Sequence, residues 1–98
     1  MFIKGNVREY SRTSFVTPVK YSVSVMDVRE WKKIHDTAVS VDISKGGIGM
    51  VTGYPLEAGH VLTFEDEIKI NSIIAKAAIV KWTGRIDRDK YRVGLKFV

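Results

Sequence analysis

The chain has 98 residues, enough for one hydrophobic core and too few for two. It contains no cysteine, which excludes a disulfide framework and a thiolate zinc site and fits a reducing compartment. The formal net charge of +5 favours an anionic partner but does not separate a nucleotide from nucleic acid or an acidic membrane surface.

Residues 1–13 are polar and aperiodic and carry Arg8 and Arg12; they read as a flexible arm ahead of a domain spanning residues 14–98. From about Phe15 to Met26, Val19, Tyr21, Val23 and Val25 alternate with Lys20, Ser22 and Ser24, which predicts a strand. Pro18 near its start suggests an edge or a bulge. Asp27 to Glu30 fits either a capped helical turn, with Val28, Trp31 and Ile34 on its inner face, or a long hairpin loop. Trp31 is expected to be a local packing anchor.

Val39, Val41 and Ile43 alternate with Ser40, Asp42 and Ser44, which predicts a half-buried strand whose polar set faces away from the core. Lys45-Gly46-Gly47 then turns the chain. The returning strand has Ile48 and Met50 on one face and leaves Gly47 and Gly49 bare on the other. Gly53 to Gly59 is dense in turn residues and predicts a loop. Leu62 and Phe64 mark a further strand, with Glu65-Asp66-Glu67 near its end. Another runs from about Ile73 to Trp82 and is apolar on both faces. Thr83 to Lys90 is expected to be a charged hairpin loop, and Tyr91, Val93, Leu95 and Phe97 give the cleanest alternation in the chain. Short strands separated by turn signals, with little helix, predict an all-β antiparallel sandwich or barrel. No signal peptide or membrane-spanning run is evident, so a cytoplasmic domain without membrane insertion is expected.

Three groups of residues carry chemistry. Arg8 and Arg12 are four residues apart, and a guanidinium can fork onto a phosphate, stack on a purine or bond guanine O6 and N7. Alone, such a pair is usually a solvated basic tail. Asp42 and Ser44 can read a guanine edge, the carboxylate accepting from N1–H and the exocyclic amine. Turn formation alone would not place Asp42 on the strand body, two residues before the turn begins. Gly46 and Gly47 are expected to supply the positive φ of a tight turn and to let amide groups approach a ligand. Outward-facing Arg92 and Lys96 would add positive field. His35 and His60 lack the partners a metal needs, so no metal or cofactor is expected. No nucleophile–base–orienter set can be assembled, so the chain is not expected to be an enzyme.

Arg8-x-x-x-Arg12 followed by Asp42-x-Ser44-x-x-Gly47 resembles the signature of the PilZ domain family, receptors for the bacterial second messenger cyclic di-GMP. The resemblance extends to Val80-Lys81-Trp82 and to Tyr91-Arg92-Val93-Gly94-Leu95-Lys96-Phe97, and so covers nearly the whole chain. The arginine pair alone would arise by chance in roughly one chain of this size in three, and the Asp-x-Ser-x-x-Gly pattern in about three per cent. It is the second motif, in the right order after the first, that gives the resemblance its weight.

The resemblance implies a six-stranded antiparallel β-barrel. It also implies cyclic di-GMP bound by Arg8, Arg12, Asp42, Ser44, Gly46 and Gly47, with Trp82 beside a base. Ligand binding would then order the N-terminal arm and regulate a protein effector or a fused domain. Two alternatives stay open. One is a basic barrel for single-stranded nucleic acid, disfavoured because the aromatics fall mostly on inward phases. The other is a PilZ-type adaptor that does not bind the nucleotide.

Overall fold

Alternation of β-branched and aromatic residues with small polar ones runs through almost the whole chain, and it is realised as strand. The computed structural model describes residues 12–98. It contains β1 (Thr13–Ser14), β2 (Pro18–Asp27), β3 (Glu30–Ile43), β4 (Gly47–Thr52), β5 (Val61–Ile70), β6 (Ile73–Asp87) and β7 (Lys90–Phe97). The hydrogen-bonded order is β3-β2-β5-β6-β7-β4, and β4 pairs back onto β3, so the sheet closes. The result is a six-stranded antiparallel β-barrel with no helix among the described residues. β1 is a two-residue addition, pairing Thr13 with Ile43 and Ser14 with Asp42. Closure removes the free edges that would otherwise invite aggregation.

The inward phases meet in one core. Tyr21, Val23, Ile48, Met50, Leu62, Val80 and Val93 are almost wholly buried, and each such side chain contributes roughly 1.5–3 kcal/mol. Tyr21 carries a hydroxyl into this core and donates it to Asp36 Oδ2 at 3.2 Å. Burial first, and the neighbouring Asp36 charge second, push the Tyr21 pKa well above its ordinary value.

Several expectations need correction. Asp27 to Ile34 is neither a helical turn nor a long loop. Strands β2 and β3 stay paired from Pro18↔Val39 to Asp27↔Glu30, leaving only Val28 and Arg29 as the turn. Val28 takes φ 57°, a conformation a β-branched residue rarely signals in advance. Trp31 is no packing anchor: it pairs with Met26 on the outer face and is 68% exposed. The reason is that β5 pairs with β2 only over Tyr21 to Val23, so the rest of this ribbon extends past the barrel wall.

Glu65-Asp66-Glu67 lies inside β5, not at its end. There β5 advances from Thr63 to Ile68 while β6 moves only from Ala77 to Ala75, a wide bulge that lets three consecutive acids stay exposed. Thr83 to Asp87 is likewise strand, and only Arg88 and Asp89 turn the β6–β7 hairpin. High charge and exposure along a two-stranded ribbon mimic a loop in sequence.

Candidate ligand-binding site

Two one-residue bulges shape one patch of the barrel wall. On β3, Ser40 pairs with Met50 and Asp42 with Gly49, so Val41 is the extra residue. On β6, Val80 pairs with Leu95 and Trp82 with Gly94, so Lys81 is the extra residue. A bulge reverses the phase of the strand that follows and re-aims its side chains. Ser40 is therefore buried in the wall, and the half-buried Asp42 reaches the outer face. Val80 is in the core, and Trp82 turns outward at 50% exposure. The simple alternation expected for this hairpin fails before the bulge, since Val39 points out and Ser40 in. Asp42 nevertheless faces outward.

Because Gly49 also pairs with Gly94, the row Asp42–Gly49–Gly94–Trp82 crosses four adjacent strands at one level. Its two ends carry a carboxylate and an indole, and its middle carries no side chain. A Cβ on Gly49 would come within 2.7 Å of Asp42 Oδ1. A Cβ on Gly94 would overlap the Trp82 indole at Nε1. The missing side chains are what allow the carboxylate and the indole to lie against the sheet.

Charge then gathers over this floor. Arg12 Nη1 donates to Asp42 Oδ1 at 2.9 Å, an ion pair partly shielded from solvent. Arg92 Nη2 stands 3.7 Å from Asp42 Oδ2 on the other side. Together with Lys45, Lys81 and Lys96, five cations and a single carboxylate among the described residues line an open cleft of about 790 Å³, a volume in the range of small-molecule sites. A field of that sign suits an anionic ligand.

The structure brings Arg12, Asp42, Ser44, Gly46, Gly47 and Trp82 to this one cleft. Arg8 lies outside the described residues, as does most of the expected arm. Ser44 is almost fully buried, and its Oγ accepts from Gly46 N–H at 3.3 Å, so it also serves as a turn former. The positive φ expected of Gly46 and Gly47 is not found, since Gly59 is the one glycine with positive φ among the described residues. Gly47 is needed for packing instead, because a Cβ there would overlap the Leu95 carbonyl oxygen of β7. Sequence reasoning missed Gly94 and Lys81. An isolated glycine on the outward phase of the cleanest strand was the available signal for Gly94. Nothing in the sequence marks Lys81 as a bulge. Among the described residues no three His, Asp or Glu side chains assemble as a metal would require.

No curated protein matches the chain significantly. A family model of the PilZ domain, generally a cyclic di-GMP-binding domain and not a catalytic one, matches residues 6–98, nearly its full length. The chain therefore belongs to the PilZ domain family.

Proposed function

We propose that this chain is a cyclic di-GMP receptor domain and that the dinucleotide binds in the cleft between Asp42 and Trp82. The observation that carries this reading is the glycine-floored row, with an acceptor at one end, an indole at the other and a strong excess of positive charge around it. Gly49 and Gly94 let the Asp42 carboxylate and the Trp82 indole lie flat against the sheet, so a base can stack on the indole with its edge toward the carboxylate. Asp42 accepts from guanine N1–H and the exocyclic amine, which adenine cannot satisfy in the same way. Ser44 and the backbone of Gly46 and Gly47 provide adaptable polar contacts. Trp82 covers one base face or edge.

Arg12 is already at the site, bound to the residue that would read the base. On ligand binding it transfers to a phosphate or to guanine O6 and N7, where its fork fits two acceptors. Arg8, four residues earlier, supplies a second guanidinium. Drawing both arginines onto the ligand repositions the segment before β1, and that change is what an effector protein or a neighbouring domain would sense.

Titration calorimetry tests the reading. Saturable binding of cyclic di-GMP is expected, weakened at least about tenfold by Arg12→Ala or Asp42→Ala, the scale of losing a charged hydrogen-bonded partner. Arg12→Lys should not restore it, because an ammonium neither forks nor stacks. Tighter binding of a single-stranded oligonucleotide than of the dinucleotide would overturn the reading.

A further inference from the structure

Asp42 is bracketed by two guanidiniums of very different standing. Arg12 holds Oδ1 at 2.9 Å and precedes a strand of only two residues. Arg92 approaches Oδ2 at 3.7 Å from the interior of β7, where it is paired with Val51 on one side and Gly84 on the other. Both the carboxylate and the Arg92 guanidinium rest on bare Gly49: a Cβ there would be 2.7 Å from Asp42 Oδ1 and 3.5 Å from Arg92 Nη2. Arg92 Nε is screened from solvent and finds no acceptor among the described residues. A shielded donor without an acceptor is destabilising, so this guanidinium gains by moving onto a carboxylate. Its Nε and Nη2 lie on one edge of the guanidinium, so both can donate to Asp42 Oδ2 from the Arg92 side and leave the carboxylate's outward lone pairs for a base.

Resting on the cyclic di-GMP reading above, we propose that Arg92 is the positioning residue for Asp42. When Arg12 leaves for the ligand, Arg92 closes onto the carboxylate and keeps it aimed along the glycine floor. Without Arg92, Asp42 would lose its counter-ion at the moment it must present two acceptors to a guanine. The exchange also explains why one carboxylate is provided with two arginines in a cleft already rich in cations. Arg12 is the partner that departs, and Arg92 is the partner that stays.

Two measurements test this, one of them without ligand. In the free protein, the NMR signal of Arg92 Nε–H should move downfield and exchange more slowly in Arg12→Ala than in wild type. The change should vanish in Arg12→Ala/Asp42→Asn. An unchanged Nε–H in Arg12→Ala would overturn the proposal. In calorimetry with cyclic di-GMP, Arg92→Ala should weaken binding about tenfold, with partial recovery in Arg92→Lys. The same Arg92→Ala change should have little further effect in an Asp42→Asn background, since Arg92 acts through Asp42. An equal loss in both backgrounds would mean that Arg92 touches the ligand itself, and would overturn the positioning role. If wild type failed to bind the dinucleotide, the receptor reading would fall, and the Nε–H experiment would still decide whether Arg92 takes over Asp42.

Discussion

Asp42 and Trp82 stand in equivalent places on opposite sides of one trough, each reaching the outer face just after a single-residue bulge and each lying across a glycine of the neighbouring strand. Strands are spaced about 4.8 Å apart, so the two residues begin roughly 14 Å apart along the curved sheet and lean toward each other. Both bulges are needed to take a side chain out of the core phase and place it over Gly49 and Gly94.

That relationship makes Gly94 a residue of the site. In Gly94→Ala the new methyl overlaps the Trp82 indole, which is half exposed and has room to swing outward. The fold should lose only about 1 kcal/mol or less. Trp82 emission, read in a Trp31→Phe background, should shift to the red, and cyclic di-GMP affinity should drop about tenfold. Unchanged emission together with unchanged affinity would show that the indole does not depend on this floor.

Gly47→Ala should behave in the opposite way. Here the obstacle is backbone, the Leu95 carbonyl, which cannot move without opening the β4–β7 pairing at Gly47↔Lys96. A loss of about 2–3 kcal/mol in denaturant unfolding is expected. A loss below about 0.5 kcal/mol would mean that β7 can yield there.

Much of the barrel was legible in the sequence because period-2 alternation survives wherever a strand is regular, as in Val19 to Val25 and Val93 to Phe97. The outward placement of Asp42 was legible from its alternation with Ile43, which follows the bulge and is buried. What was illegible has separate physical causes. A bulge adds a residue without any required residue type, so nothing around Val41 or Lys81 announces the phase change that buries Ser40 and exposes Trp82. Strand that projects beyond the barrel is also hidden: Trp31, Arg85 and Ile86 are exposed although they belong to strands. Their composition therefore reads as packing anchor or loop. The Arg92 contact with Asp42 joins residues 50 positions apart, and it depends on β4 lying between their strands.

Trp31 offers a direct check of the projecting ribbon. Among the described residues its ladder partner is Met26 across the hairpin, so Trp31→Ala should cost about 0.2–1 kcal/mol, the worth of a cross-strand pair. Leu62→Ala, at a fully buried position, should cost about 2–5 kcal/mol. Comparable losses for the two in urea unfolding would place Trp31 inside a packed surface.

Tyr21 links the core to alkaline pH. Its hydroxyl is neutral in the fold, and burial together with Asp36 raises its pKa above the ordinary 10.0. The native state therefore keeps this proton at a pH where the unfolded chain has released it. Stability from this group is fully present below about pH 10 and falls as pH rises above that value toward the folded-state pKa. Tyr21→Phe removes the titrating group along with the 3.2 Å bond to Asp36. It should cost about 1 kcal/mol at pH 7, and the difference from wild type should shrink as pH rises past about 10. Urea unfolding of both proteins across pH 7 to about 11 reads this out, and a difference constant across that range would show that the Tyr21 hydroxyl is not held in its protonated form by the fold.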